Sequence, residues 1–193
     1  MDLSFDALKS DYTTRLAAMQ PTRWADALDV AKGLLKNRDR FVTLQLSTQV
    51  PALWVIPVFQ REEPSFDTYL GNGDPLNRPT VDEPKGRGPF ASWEDGAIDA
   101  LQYDKIIDVT QWSWEMACYM WEKWNGFGPR RWHHAPSGYL WSGTDQYKGG
   151  KYTSDGTWTA STWDHQLGVV ILAKAIVQLD PEIGGGFSGS IAS

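Results

Sequence analysis

The sequence predicts one mainly α-helical domain with at most a small β-sheet. Apolar residues recur at helical spacing in several segments, and two long segments rich in glycine, proline and aromatic residues separate those helices. No internal repeat divides the chain, and its 193 residues suit one domain with a sizeable core. Apolar residues make up 41% and charged residues 22%, a balance typical of a globular protein rather than a disordered one.

The first two predicted helices lie within residues 1–48, which we expect to form an N-terminal helical part. Leu8 and Tyr12 fall on one face of a helix over residues 3–19, and a second helix is predicted to start near Pro21.

The next two segments are ambiguous between strand and helix. Residues 41–44 have a high strand propensity. Residues 51–61 are strongly apolar and contain Pro57, which would kink a helix. Periodicity does not separate a buried helix from a buried strand in so short a run. We favour a helix for residues 51–61.

The rest of the chain alternates between loops and helices. Glycine and proline interrupt residues 62–92, which are predicted as loop with one short hairpin, and residues 130–160 are again loop-rich. Further helices are predicted over about 92–107, 111–124 and 163–179. The single domain is expected to cover residues 1–183, followed by a flexible Gly/Ser tail over residues 184–193.

Charge and cysteine content argue against several classes of protein. The net charge is −6 and no basic run exceeds Arg130-Arg131, so we expect no nucleic-acid partner. The one cysteine, Cys118, can form neither an intramolecular disulfide nor a cysteine-based zinc site. The longest apolar stretch is too short to span a bilayer, and the first residues lack the pattern of a signal peptide. We therefore expect synthesis in the cytoplasm and no stable membrane insertion.

Glu62 is the first candidate for chemistry, because it directly follows the apolar run over residues 54–59. At the C-terminal end of a buried helix, the negative end of the helix dipole and partial loss of solvent would both raise the pKa of Glu62. A general acid needs such a raised pKa near neutral pH. The alternative is that Arg61, Glu62 and Glu63 form a solvated polar turn.

Asp74 and Thr80 form the second candidate. Asn-Gly and Asp-Pro are turn signals that present Asp74 at a bend, and Thr80 follows six residues later. Opposite a protonated carboxylic acid, this pair would position a water or stabilise an oxocarbenium-like transition state. The alternative is a tight hairpin in which Asp74 caps its own turn.

Loop-like segments near residues 72, 125 and 139–152 combine aromatic faces with amide and hydroxyl groups, the usual chemistry of a sugar-binding cleft. The candidate binding residues are Asn72, Asn125, Gly126, Tyr139, Trp141, Tyr147 and Tyr152. The chain has 11 tryptophans, some of which must fill the core, and a core role is the alternative for the aromatic members.

Other chemistries find little support in the sequence. His133, His134 and His165 form no compact metal-ligand pattern. No Gly-x-Ser-x-Gly sequence occurs, and Cys118 lies on an apolar helical face, which argues against a nucleophilic triad. We expect neither a metal ion nor an organic cofactor.

Four short motifs follow one another over residues 50–178: Arg-Glu at 61–62, Asn-Gly-Asp-Pro-Leu at 72–76, Trp-Asn-Gly-Phe-Gly at 124–128 and Tyr-Leu-Trp-Ser-Gly-Thr at 139–144. Their order resembles that of a lysozyme-like family found in phages, prophages and bacterial genomes. The second and fourth motifs are fairly specific when they occur together. The chain departs from the family pattern in having Glu63-Pro64 after the acid and Trp124 rather than tyrosine before Asn125.

The resemblance implies a lysozyme-like α+β fold, in which a helical domain and a small β-hairpin lip border a glycan-binding cleft. It implies a catalytic core over residues 50–178 with Glu62 as the acid. Asp74 and Thr80 resemble the Asp and Thr of the Glu–Asp–Thr set in phage-type lysozymes, although the interval from Glu to Asp is longer here.

The expected activity is that of an N-acetylmuramidase, which cleaves the β-1,4 bond between N-acetylmuramic acid and N-acetylglucosamine in bacterial peptidoglycan. Glu62 would protonate the leaving oxygen, and Asp74 with Thr80 would hold water or stabilise positive charge. The alternatives are a lytic transglycosylase with one acid/base glutamate, a chitinase-like activity, and a non-catalytic glycan-binding structural protein of a phage. We expect a monomer that reaches the wall after holin-type release or as part of a virion.

Overall fold

The computed structural model describes residues 1–62, 64–154 and 156–188, and within them the chain is mainly helical with one small sheet. The helices are α1 (Phe5–Ala18), α2 (Trp24–Leu34), α3 (Arg38–Thr48), α4 (Ala52–Arg61), α5 (Trp93–Tyr103), α6 (Trp114–Asn125), α7 (Gly128–His133), α8 (Gly138–Trp141), α9 (Val169–Leu179) and α10 (Pro181–Gly184). Short 3₁₀ turns occupy Leu35–Asn37 and Ile106–Asp108. Strands β1 (Lys151–Ser154) and β2 (Thr157–Thr159) pair antiparallel. The prediction of a mainly α-helical fold is confirmed.

Two strongly apolar helices, α4 and α9, form the centre of the molecule. The side chains from Ala52 to Phe59 are buried on every face of α4, and those from Val169 to Ala173 are buried in α9. A helix that is apolar all round is stable only inside a core. α9 packs against α2 and α4, and α6 packs against α1 and α4, so the N-terminal helices belong to the same core as the rest.

The strand propensity of residues 41–44 does not lead to a strand, because these residues lie in α3. Phe41 and Leu44, one helical turn apart, are buried. The ring of Phe41 contacts those of Phe59 and Trp93 in edge-to-face geometry, with centroids 5.4 and 5.7 Å apart. Tertiary packing of this kind overrides local propensity. The favoured helix over residues 51–61 is confirmed as α4, with Pro57 inside it.

The hairpin lies elsewhere than predicted. It is formed by β1 and β2, where Tyr152 pairs with Trp158, and no strand is described at residue 62 or over residues 64–92. Over residues 64–92 the only pairing described is an isolated bridge between Thr68 and Pro75. Two backbone hydrogen bonds flank this bridge, from the Tyr69 N–H to the Asp74 carbonyl and from the Leu76 N–H to the Asp67 carbonyl. The pairing does not extend into strands, because the N–H groups of Asp74, Val81 and Asp82 bond to side chains instead.

Part of the predicted flexible tail is packed into the core. Phe187 is buried, and its ring lies 5.1 Å from that of Trp114 and 5.9 Å from that of Trp121. Ser188 donates its N–H to the carbonyl of Trp112 over 2.8 Å. The prediction of a tail starting at residue 184 is therefore wrong for residues 184–188, while residues 189–193 lie outside the described part of the chain.

A buried polar network joins α1, α6 and α7. The carboxylate of Glu122 is fully buried, accepts a hydrogen bond of 2.6 Å from the Tyr12 hydroxyl and pairs with the guanidinium of Arg130. Arg130 also bonds to Asp11 over 2.9 Å. Buried charges are tolerated when they are paired and hydrogen-bonded in this way. The network holds α7 at a fixed position beside α1.

Candidate functional site

Glu62 lies where α4 ends. Its N–H donates to the carbonyl of Val58 over 2.9 Å, and Pro64, two residues later, cannot continue the helix. Burial raises the pKa of Glu62, and hydrogen bonds from Tyr139 and Trp124 and the charge of Arg61 offset part of that rise. The side chain therefore combines partial burial with a carboxyl group that is easier to protonate than usual.

Two donors hold the Glu62 carboxyl group in a fixed orientation. The Tyr139 hydroxyl donates to Oε1 over 2.8 Å, and the indole Nε1–H of Trp124 donates to the same oxygen over 3.0 Å. Among the described residues, none donates to Oε2. Since Oε1 already accepts two hydrogen bonds, the proton of the neutral acid belongs on Oε2.

Local backbone geometry positions both donors. Tyr139 lies in α8, which begins where the Ser137 hydroxyl accepts the Tyr139 N–H over 3.2 Å. Trp124 lies in the last turn of α6, and its ring faces the backbone of Gly71. Gly71 has φ of +105°, and a Cβ atom there would lie 2.9 Å from Cζ2 of Trp124, so only glycine fits between the loop and this indole.

Glu62 lines a cavity of about 330 Å³, called here the acidic cavity. Its described carboxylates are Glu62, Glu83 and Asp104, and no lysine or arginine lines it within the described residues. The other described lining residues are Tyr69, Leu70, Gly71, Pro84, Ala100, Tyr103, Trp124 and Asn125.

A second cavity of about 450 Å³, called here the basic cavity, is lined in part by Tyr139. Its charged residues within the described chain are Arg61, Lys151 and Asp164. Tyr139, Tyr152 and Trp158 supply aromatic surface, and glycines or short polar residues supply most of the remainder. Asn125 lines both cavities. Tyr139, which lines the basic cavity, also bonds to Glu62, which lines the acidic cavity.

The charged floor of the basic cavity is a buried ion pair with a third member. Arg61 Nη2 lies 2.8 Å from Asp164 Oδ2, and both side chains are less than a tenth exposed. Lys151 Nζ lies 3.1 Å from Asp164 Oδ1. Burial alone would raise the pKa of Asp164, but its bonds to Arg61 and Lys151 outweigh that effect and hold the pKa below its usual range. Asp164 therefore stays ionised.

Asp74 and Thr80, predicted as catalytic partners of Glu62, hold the loop over residues 64–92 together. Asp74 Oδ2 accepts the N–H groups of Val81 and Asp82 over 2.8 and 2.9 Å, and these bonds keep the pKa of Asp74 below its usual range. The Thr80 hydroxyl donates to the carbonyl of Pro84. Neither residue is among those that line the two cavities.

Asn72, predicted as a binding residue, also stabilises the loop over residues 64–92. Its side-chain oxygen accepts the Asp74 N–H over 3.0 Å, and its amide nitrogen donates to the carbonyl of Asp82 over 3.2 Å. The three loop residues act on the acidic cavity indirectly, since Glu83 and Pro84, which lie beside these bonds in the chain, form part of its wall.

The predicted binding residues divide into two groups. Asn125, Gly126, Tyr139 and Tyr152 line one or both cavities, as a binding role requires. Trp141 and Tyr147 are instead buried in the core and line neither cavity. The Tyr147 hydroxyl donates to the carbonyl of Gly150 and accepts the N–H of Asp164, so it supports the basic cavity from behind.

Four functional candidates were not predicted as site residues: Trp124, Arg61, Lys151 and Asp164. Arg61 and Lys151 each adjoin a predicted site residue, Glu62 and Tyr152, which is a usable signal. Asp164 carries no such signal, because only the fold brings it to Arg61, 103 positions away in the chain.

Within residues 1–62, 64–154 and 156–188, no group of three or more His, Cys, Asp or Glu side chains is arranged to hold a metal ion. None of the helices there is long and apolar enough to cross a membrane. Comparisons of the chain with protein-family models, with curated proteins and with solved structures find no match.

Proposed function

We propose that this protein is a glycoside hydrolase that cleaves the glycan strands of bacterial peptidoglycan, with Glu62 as its acid catalyst. The observation that carries the proposal is the environment of Glu62. Its carboxyl group has a pKa raised by burial, is oriented by Tyr139 and Trp124, and borders a cavity that an aromatic and amide-lined second cavity extends. This combination suits an acid that protonates a glycosidic oxygen.

The proposed first step uses the free oxygen of Glu62. Oε2 donates its proton to the glycosidic oxygen, the bond between that oxygen and the anomeric carbon breaks, and positive charge develops on the sugar. The carboxylate left behind is stabilised by the Tyr139 and Trp124 donors, which already point at Oε1 and need no rearrangement. Hydrogen bonds to a charged acceptor are about twice as strong as neutral ones.

The second step distinguishes the proposed hydrolase form from its nearest alternative, a lytic transglycosylase form that cleaves the same bond without adding water. In an N-acetylmuramidase, a water attacks the anomeric carbon, gives its proton to the Glu62 carboxylate left by the first step, and leaves a hydroxyl on the sugar. In a lytic transglycosylase, a hydroxyl of the same sugar attacks and closes an anhydro ring, so that one acid/base glutamate suffices. The second form gains support from Asp74, whose Oδ2 is occupied by two backbone N–H groups and which lines neither cavity.

The test compares three proteins on purified bacterial cell walls: the wild type, Glu62→Gln, and Glu182→Gln as a control on an exposed glutamate far along the chain. We expect the wild type and Glu182→Gln to clear the walls at equal rates and Glu62→Gln to lose clearing by about a hundredfold or more. Mass spectrometry of the released fragments identifies the second step, since anhydro sugars contradict the muramidase form and reducing ends contradict the transglycosylase form.

Equal clearing by the wild type and Glu62→Gln would contradict the role of Glu62. If neither protein clears walls while both bind them, the protein is a glycan-binding module and the proposal of an enzyme is wrong.

In either form we propose that the protein acts as a monomer and reaches the wall by holin-type release or as part of a virion.

A further inference from the structure

The basic cavity has more positive than negative charge among its described lining residues. Two cations, Arg61 and Lys151, share the single carboxylate of Asp164. This carboxylate also accepts the N–H of Gln166 over 3.2 Å. The described lining of this cavity therefore carries one more positive than negative charge, in a protein whose net charge is −6.

Arg61 contributes donors that no described group satisfies. Its Nη2 pairs with Asp164, whereas its Nε and Nη1 are buried and have no hydrogen-bond acceptor. The guanidinium lies over the ring of Tyr139, 4.8 Å from the centroid, and this contact compensates the charge only in part. Buried charge without full compensation creates a strong local potential, because the surroundings screen it poorly.

Lys151 is the member of this cluster that a ligand can reach. Its side chain is 40% exposed, against 4% for Asp164, and its ammonium has three N–H donors of which Asp164 takes one. Gly150 fixes the backbone before it: φ there is +90°, and a Cβ atom would lie 2.3 Å from the Trp158 ring. β1 therefore presents Lys151 from a well-packed hairpin.

Among the described residues, the linings of the two cavities carry opposite charge. Glu62, Glu83 and Asp104 face the acidic cavity, and the excess positive charge of Arg61 and Lys151 over Asp164 belongs to the basic cavity. Asn125 lines both, so one extended ligand can occupy the two. Such a ligand is held in one direction if its negative group lies at the basic end, because the acidic end repels that group.

We infer that the basic cavity is a binding site for a carboxylate group of the ligand, with Lys151 as its direct contact and the Arg61–Asp164 pair as its charged floor. The inference rests on the proposed function for the identity of the ligand: in wall glycan, the carboxylate belongs to the lactyl group of the sugar or to the peptide attached to it. The site then fixes which sugar lies over Glu62.

The test measures binding by calorimetry to Glu62→Gln, which keeps the cleft but leaves ligands uncut. The probes are a neutral N-acetylglucosamine tetrasaccharide, a tetrasaccharide with free lactyl carboxylates, a tetrasaccharide with the wall peptide, and the same peptide ligand with its carboxylates amidated. Each probe is measured again with double variants that combine Glu62→Gln with Lys151→Met or with Lys151→Arg. The control combines Glu62→Gln with Lys148→Met, a change at an exposed lysine of the neighbouring loop.

We expect the carboxylate ligands to bind about tenfold more tightly than their neutral counterparts. Lys151→Met should abolish that preference without weakening the neutral probes, Lys151→Arg should retain most of it, and Lys148→Met should leave it unchanged. The preference should also decline with added salt. Comparison of the lactyl and peptide probes shows which carboxylate is bound.

Equal affinity for charged and neutral probes would overturn the inference, as would equal effects of Lys151→Met and Lys148→Met. These outcomes are independent of the proposed function, which is tested by wall clearing with Glu62 intact. A protein that cleaves walls without a Lys151-dependent preference refutes the carboxylate site alone. A protein that keeps the preference without cleaving walls refutes the enzyme alone.

Discussion

Tyr139 contacts two consecutive residues whose charges face different cavities. Its hydroxyl donates to Oε1 of Glu62 over 2.8 Å, and its ring lies under the guanidinium of Arg61, 4.8 Å from centroid to Cζ. Arg61 is also paired with Asp164, and its charge offsets only part of the rise in the pKa of Glu62 that burial causes. The tyrosine therefore orients the acid and also contacts the neighbouring cation.

Replacement of this tyrosine tests its effect on the acid. In Tyr139→Phe, the pKa of Glu62 should rise further, because the hydrogen bond that it loses lowers that pKa. A general acid works only when protonated, so activity falls as pH rises through its pKa, and the alkaline limb of the pH–rate profile should move to higher pH. Loss of a donor to the developing carboxylate should also lower kcat by about ten- to a hundredfold.

Tyr119→Phe is the matched control, since Tyr119 packs against Phe5 and Phe127 away from both cavities. It should leave the profile unchanged. An alkaline limb of Tyr139→Phe that stays in place or moves to lower pH would contradict the role given to the hydroxyl.

The free energy of unfolding should show how much the ionised, buried carboxylate of Glu62 destabilises the fold. Because burial raises the pKa of Glu62 in the folded state, its ionisation destabilises the fold as pH rises above the ordinary carboxyl pKa. Glu62→Gln keeps an oxygen for the Tyr139 and Trp124 donors and removes the charge. We expect this variant to be more stable than the wild type by about 1 kcal/mol at pH 7, with the gain shrinking as pH falls toward 4.

Urea unfolding at pH 4 and pH 7 checks this expectation. Glu182→Gln, on an exposed glutamate, should show no such gain at either pH. A gain for Glu62→Gln that is equal at both pH values, or a loss at pH 7, would contradict the assignment of a raised pKa.

Alanine substitutions at two glycines with positive φ distinguish the effect of backbone strain from the effect of losing a contact with the site. Gly71 (φ +105°) lies against Trp124, whereas Gly86 (φ +73°) has open space where a Cβ would be. Alanine at either position should cost about 1–2 kcal/mol of stability from the left-handed backbone alone. Only Gly71→Ala should also displace Trp124 from Glu62 and move the alkaline limb of the pH–rate profile to higher pH. Equal profiles for the two variants would show that the Gly71 contact does not position the indole.

The buried ion pair under the basic cavity should be sensitive to loss of its anion. Asp164→Asn leaves the charge of Arg61 buried without its partner, and we expect a loss of about 3–5 kcal/mol in the free energy of unfolding at pH 7. Because the pKa of Asp164 is lowered in the fold, its contribution is present above the ordinary aspartate pKa and is lost as pH falls below it. The difference between variant and wild type should therefore shrink in acid.

Asp29→Asn provides the comparison, since the pair of Asp29 with Lys32 is largely exposed on both sides. Its effect should stay within about 0.5 kcal/mol. Comparable losses for the two asparagine variants would mean that Arg61 does not depend on Asp164 for its compensation.

The sequence was informative where a single helix decides the geometry. The apolar run over residues 52–59 predicts a buried helix, and Glu62 at its end follows from chain continuity. α3 was less predictable, because its β-branched and aromatic residues favour strands until Phe41 finds the rings of Phe59 and Trp93. The burial of Phe41 depends on partners 18 and 52 positions away in the chain, and local propensity carries no information about such distant residues.

The candidate site was predictable in part for the same reason. Tyr139 and Asn125 were expected near a ligand from residue type, and they do line the cavities. Trp141 carries the same aromatic signal as Tyr139, but two positions along a short helix turn it into the core. Asp74 was identified by its turn, yet a turn does not reveal whether a carboxylate faces a cavity or caps its own backbone.

The network of Tyr12, Glu122 and Arg130 has a consequence for how this protein can diversify. Replacing residues 1–48 with another segment would bring a new α1 against the present α6, and any α1 without a donor at position 12 would cost the buried Glu122 carboxylate one of its hydrogen bonds. Residues 1–48 are therefore not exchangeable independently of α6. Changes in α1 and in α6–α7 must therefore be matched, even though Tyr12 and Glu122 lie 110 positions apart in the chain.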